Sequence, residues 1–205
     1  HPEYFESRSS SISIFSPEMN KGDLVGTFLR SFSLSLAKYN FWGDQNWRHN
    51  YPPYSILDTL TGIAFLFGFI ISIGKLFHYL FERIFHKIQD SRMDTYVLLV
   101  GWFFTMLIPE FLTAEGLPHA LRSIGTLPAV FIFSGITFNF FFEKIRKNSA
   151  IYRAIVTLLI ISMLASIGIF NGFKYHYFWA NKIETAQSFE KIMMDISRYI
   201  DTVPN

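Results

Sequence analysis

Four stretches of this chain run for roughly the thickness of a lipid bilayer with almost no charge, and that restricts the fold more than any other feature. Crossing about 30 Å of hydrocarbon takes about 20 consecutive apolar residues in a helix. Residues 59–80 meet that length with Lys75 as the one charge, and a lysine stem is long enough to carry its ammonium to the lipid surface. Residues 95–114 are uncharged up to Glu110, so this span reaches full length only with that carboxylate at the interface. Residues 123–142 and 154–173 carry no charge. Pro128 either kinks the third span or marks where a half-helix begins, because a proline ring cannot continue a helix behind it.

The expected fold class is therefore an all-α integral membrane protein, since only structures that satisfy their own backbone survive in hydrocarbon. It has four transmembrane helices at about 59–80, 95–114, 123–142 and 154–173, between exterior segments 1–58 and 174–205. Composition agrees: 50% hydrophobic against 17% charged residues excludes an ordinary soluble domain. With no cysteine, disulfides, thiolate metal sites and cysteine nucleophiles are excluded. A net charge of only +2 argues against a nucleic-acid partner. Nucleotide loops, zinc-ligand spacings and Gly-x-Ser-x-Gly elbows are missing from the sequence.

Orientation follows from the basic residues of the short loops. The 82–94 loop carries Arg83, Lys87 and Arg92, and the 143–153 loop carries Lys144, Arg146, Lys147 and Arg153, whereas 110–122 has only Arg122. The first two loops are expected in the cytoplasm, although Lys174, Lys182 and Lys191 weaken the bias. Both ends of the chain, and the 110–122 loop, then lie outside. The chain opens on His1-Pro2 without a leader, so the expectation is a portion of a longer protein with earlier spans.

Within 23–40, Val25, Phe28, Leu29, Phe32 and Leu36 recur at helical spacing behind Asp23, a good cap, which predicts an amphipathic helix along the membrane surface. A second stripe, Phe189, Ile192, Met193, Ile196 and Tyr199, predicts another over about 184–201. The 41–54 loop mixes aromatic rings, expected at an interface, with Asp44, Asn46, Arg48, His49 and Asn50, a set suited to hydroxyls or a phosphate. The 109–125 segment gathers Glu110, Glu115, His119 and Arg122 at the outer mouth of two spans. If a helix starts near Pro118, His119 and Arg122 share a face three residues apart, beside a helix N-terminus that favours anions. The bland alternative for each is ordinary: Arg122 as an interfacial anchor, His119 as a helix-end hydrogen bonder. Glu110 and Glu115 also leave room for a divalent metal or for acid–base work.

These residues resemble a known family. Phe41-Trp42-Gly43-Asp44-Gln45-Asn46-Trp47-Arg48-His49-Asn50 with Leu57-Asp58 and Thr61-Gly62, then Gly116-Leu117-Pro118-His119-Ala120-Leu121-Arg122 with Ile124-Gly125 and Pro128-Ala129, and Tyr177-Phe178-Trp179-Ala180 before Phe189, look like the bacterial family 39-like glycosyltransferases. These belong to the GT-C superfamily and are related to protein O-mannosyltransferases and aminoarabinose transferases. The resemblance spans the chain, including His1-Pro2-Glu3-Tyr4-Phe5 and Arg8.

The resemblance implies transfer of a sugar from a polyprenyl-phosphate donor, in contact with membrane lipid, to an unidentified acceptor on the outer face of a bacterial cytoplasmic membrane. It places the acidic general base or metal ligand in an exterior loop ahead of this chain, so no catalytic residue is assigned here. His119 and Arg122 take a donor-phosphate role under it. Glu115, Asp44, Arg48, His49 and Asn50 take substrate-facing positions. The competing class is a noncatalytic membrane scaffold, polymer-binding subunit or transporter part, which as a transporter should keep ionisable groups or broken helices at mid-membrane. The cysteine-free background makes the orientation testable: single cysteines at positions 44 and 119 are expected to react with a label applied outside the cell, and reaction only from the cytoplasmic side overturns it.

Overall fold

Three carboxylate or hydroxyl caps and one proline fix where the long helices begin. In the computed structural model, which describes residues 10–52, 54–88 and 90–202, a short α1 (Pro17–Asn20) leads to α2 (Leu24–Ala37), whose cap Asp23 accepts from the Gly26 amide at 2.8 Å. Asp58 caps α3 (Thr59–Phe85) through the Thr61 amide at 3.0 Å. After α4 (Arg92–Phe111) comes a 3-10 helix (Ala120–Thr126) that feeds directly into α5 (Leu127–Ile145). Ser149 caps α6 (Ala150–Phe173), which runs on through a π-helical turn (Lys174–Trp179) to α7 (Ile183–Ser188) and α8 (Lys191–Thr202). Among the described residues the only β pairing is one isolated bridge, Ser13 to Thr113.

The chain is an all-α membrane protein: four of its helices are long and apolar enough to cross a bilayer. The expected spans are all present with shifted ends. The first extends to Phe85 and the second is Arg92–Phe111. The third is Ala120–Ile145, which contains the expected 123–142 and opens as the 3-10 helix before becoming α-helical at Leu127. Pro128 stands in the first turn of α5, where its missing N–H has no intrahelical duty, so it starts the helix without kinking it. The opening residues of the family resemblance, 1–8, lie outside the described residues.

The core sits where α3, α4 and α5 meet. Phe65 and Phe69 of α3, Phe103 of α4 and Phe133 of α5 pack ring against ring with centroids 5.3–6.1 Å apart, in the tilted and edge-on arrangements that aromatic quadrupoles favour. Above them α3 and α5 come unusually close. A Cβ on Gly68 would lie 1.7 Å from the Phe133 carbonyl oxygen, and Thr137 Oγ1 donates to the Ala64 carbonyl at 2.6 Å. Small residues at such a crossing let backbones approach where lipid offers no hydrophobic drive for association. By contrast, none of α6 is buried.

Of the two amphipathic segments, the first forms the expected helix behind Asp23 and the second divides. On α2, Phe28 and Phe32 stack onto Phe104 and Phe111 of α4 and Leu36 joins the core margin, while Val25 and Leu29 are exposed. The closest packing of that helix is through its small polar side chains, Ser31 and Ser35, both buried. The tail is two helices rather than one, broken at Phe189 and Glu190, the latter in the left-handed region at φ 56°.

Gly68→Leu is expected to wedge α3 from α5 and destabilise the protein by at least about 2 kcal/mol, as overpacking does. Gly74→Leu on the same helix, where a Cβ meets nothing within 4 Å, should leave stability unchanged or raise it. Thermal unfolding of the two variants in detergent checks both.

Candidate functional site

Helix α2 ends on Lys38, whose stem follows the same buried face as Ser31 and Ser35 and carries its ammonium inward. There it forms an ion pair with Glu110, in the last turn of α4, and donates to Ser123 Oγ of the 3-10 helix. The side chains of the pair are 1% and 0% exposed. The second carboxylate oxygen of Glu110 accepts from the His119 amide at 2.9 Å. Next along the chain, Tyr39 shares a hydrogen bond of 2.6 Å with Thr126 Oγ1. Burial pushes the Lys38 ammonium below the ordinary lysine range against the pull of Glu110, and pushes the Tyr39 hydroxyl up. Glu110 stands in the last turn of its span, at the boundary expected from sequence, but it is not paired with Glu115 for a metal or acid–base role: it is an internal anchor, and Glu115 is exposed.

The 41–54 loop folds over this anchor. Asp44 Oδ1 accepts from the Asn46 amide at 2.8 Å, while Oδ2 accepts from the Ala120 amide at 2.7 Å and bonds His49 Nδ1 at 3.1 Å. Asn50 Nδ2 donates to the carbonyls of Asp44 and Tyr54 at 3.0 and 2.7 Å. Gly43 is required here, since a Cβ would fall 2.0 Å from the Tyr54 oxygen. The His49 and His119 rings lie 4.7 Å apart. Enclosed beside them, His119 Nδ1 has no hydrogen-bond partner. Burial first, then the Arg122 charge, hold the His119 imidazole below the ordinary histidine value, so it is neutral at pH 7.

His119 and Arg122 do not share a helix face. The helix starts at Ala120, with His119 extended as its cap (φ −132°, ψ 106°), because the Asp44 carboxylate reaches across to the Ala120 amide and supplies the terminus. The His119 ring turns toward Asp44 and His49, whereas Arg122 donates to the Glu115 carbonyl at 2.5 Å. Arg48 points away from this group and grips the C-terminal segment, donating through Nε and Nη2 to the Ser188 carbonyl at 2.9 and 2.6 Å, with Glu190 4.0 Å away. Of the residues singled out from sequence, the fold brings together Asp44, His49, Asn50 and His119. It sets Arg48, Glu115 and Arg122 apart from them.

Beside this group lies a cavity of about 530 Å³, between the ends of α3, α5 and α6. Its polar side carries His49, Asn50, Asp58 and Asn171, with the rings of Tyr175 and Trp179. Leu127, Phe131 and Ile167 form its apolar wall. Asp58 accepts from Asn171 Nδ2 at 3.1 Å and from Thr61 Oγ1 at 2.7 Å. Burial alone would raise its carboxyl, but the bonds from Thr61 and Asn171 prevail and hold it low, so it is ionised. Trp179 Nε1 reaches the Trp47 carbonyl at 3.0 Å, closing the cavity against the 41–54 loop.

Lys38, the pairing of Glu110, Asp58 as a cavity group, and Asn171 were missed by the sequence reading. A signal existed for two of them: Ser31, Ser35 and Lys38 continue one helix face, and a carboxylate inside an apolar run demands a partner. No family model, curated protein or solved structure matches this chain.

Lys38→Met leaves the Glu110 charge enclosed without its partner and is expected to cost about 3–5 kcal/mol. Adding Glu110→Leu should restore most of that loss. A double-mutant cycle by chemical unfolding in detergent checks the recovery; equal instability of the single and double variants argues against a coupled pair.

Proposed function

We propose that this chain serves a membrane glycosyltransferase that moves a sugar from a polyprenyl-phosphate donor to an acceptor at the outer face of a bacterial cytoplasmic membrane, as the family 39-like enzymes it resembles do. The observation that carries this reading is the two-sided cavity. An ionised carboxylate and two amides (Asp58, Asn50 and Asn171) beside two aromatic rings (Tyr175 and Trp179) suit a sugar, whose hydroxyls need donors and acceptors while its C–H face needs an apolar plate. The apolar wall of Leu127, Phe131 and Ile167 suits the prenyl chain that a lipid-linked sugar brings with it.

The charge pattern supports the outward direction of this end. The 86–91 and 146–149 connections, at the other end of the spans, follow or flank Arg83, Lys87, Lys144, Arg146 and Lys147, and such loops stay in the cytoplasm. A polyprenyl phosphate holds its charge at headgroup level. His49 borders the cavity with His119 beside it, and Arg122 is close enough for its charge to act on the His119 imidazole, so N–H donors and one fixed cation are available toward that end. A donor fixed near the leaving phosphate stabilises the charge that grows there in the transition state.

Transfer is tested in vesicles that contain the complete enzyme and a radiolabelled polyprenyl-phosphate sugar. Asp58→Asn keeps a helix cap of equal quality but removes the charge, and should lower transfer about 10- to 100-fold, the value of a hydrogen bond to a charged group. Phe131→Asp should weaken donor binding by placing a charge on the lipid wall. Arg122→Ala and His119→Ala should weaken it through the phosphate. Undiminished transfer in both cavity variants, with folding intact, overturns the proposal.

A further inference from the structure

Three side chains at the edge of the cavity form a constellation that sugar recognition does not require. Asp44 and His49 come from the loop after α2, and His119 comes from the segment ahead of the 3-10 helix. One donor atom from each lies within 4.8 Å of the other two. We propose that Asp44, His49 and His119 are the ligands of a divalent transition-metal ion, zinc in the first instance.

One of the three spacings is already that of a loaded site. Neighbouring ligand atoms on a tetrahedral zinc, with bonds of about 2.0–2.1 Å, are about 3.3 Å apart, and Asp44 Oδ2 to His49 Nδ1 is 3.1 Å. In such a pair a metal takes the place of the shared proton. His119 Nδ1 is enclosed and without a hydrogen-bond partner, whereas buried polar atoms are nearly always satisfied. A cation between the three residues satisfies it.

The carboxylate is also held in advance. The amides of Asn46 and Ala120 donate to its two oxygens at 2.8 and 2.7 Å, and Asn50 braces the backbone that carries it. Outer contacts of this kind orient ligands and strengthen metal binding. Two imidazoles and one carboxylate select against magnesium and calcium, which take oxygen ligands, and favour zinc and its transition-metal neighbours. Three protein ligands leave the fourth position of a tetrahedral ion to water or to a ligand oxygen. The ion would stitch the 41–54 loop to the segment between α4 and α5, and so fix the roof of the cavity on which His49 sits.

This site does not depend on the glycosyl-transfer reading, because metal binding is measured without any sugar. The full chain, freed of its purification tag and stripped with chelator in detergent, is titrated with Co²⁺ and then Zn²⁺. The expected result is the visible absorption of tetrahedral Co²⁺, its loss when Zn²⁺ displaces the cobalt, and a rise in melting temperature with Zn²⁺. His49→Ala and His119→Ala should each weaken binding by more than about 100-fold, beyond what loss of an outer contact does, while His86→Ala on the opposite end leaves it unchanged. Absence of the cobalt band and of the thermal shift in the wild-type chain overturns the proposal, as does unchanged affinity in the His49→Ala/His119→Ala double variant. The wild-type titration decides the matter even where a variant fails to fold.

Discussion

The ion pair between Lys38 and Glu110 holds the polar end of this molecule together. Two charges removed from water cost several kcal/mol each after relaxation, and their attraction repays that only when geometry is good and the remaining valences are filled. The remaining valences are filled: Lys38 also bonds Ser123, and the free oxygen of Glu110 takes the His119 amide. One carboxylate therefore fixes three things at once, namely where α2 ends, where α4 stops and where the chain re-enters toward α5. An apolar pair of similar volume could fill the space, but it would not dictate that register.

From that anchor the two halves of the molecule divide their physics. Below it, phenylalanines and close helix crossings provide packing in a medium where burial of apolar surface gains nothing over lipid. Above it, polar and directional contacts join the segments: Tyr39 to Thr126, Asp44 to Ala120, Asp58 to Asn171, Arg48 to Ser188. The loops at this end touch one another through side chain to backbone bonds more than through rings, so the cavity is bounded by groups of fixed direction. That is the condition for recognising a polar ligand by shape and donor pattern rather than by greasiness.

How much of this could be read from the chain depended on the range of the interaction. The spans were legible because bilayer thickness imposes a length on any sequence, and Asp23 and Pro128 marked helix starts through local chemistry alone. The 41–54 loop was recognisable as a polar surface because its residue types are dense. Long-range pairings were not legible. Nothing near Pro118 says that the next helix begins at Ala120, since its cap is a carboxylate 76 residues earlier. Glu110 was legible as a span boundary but not as half of an ion pair, because its partner lies 72 residues away. Asp58 was visible as part of a motif, but its place in a cavity depends on Asn171 in the fourth span, which periodicity could not orient.

That fourth span has a consequence of its own. The uncharged part of α6, residues 154–173, makes about 30 Å of helix at 1.5 Å per residue, which matches the hydrocarbon thickness. No residue along its shaft is buried against the other helices, and the bonds that tether it, Asn171 to Asp58 and Trp179 to Trp47, gather at a single extremity. Among the described residues, then, α6 is fixed at that end and unbraced along its shaft. Since Ile167 and Asn171 form one flank of the cavity, a bilayer thicker or thinner than that apolar length, where it is accommodated by tilt about the tethered end, alters the width of that opening, and the composition of the host membrane becomes a structural parameter of the site.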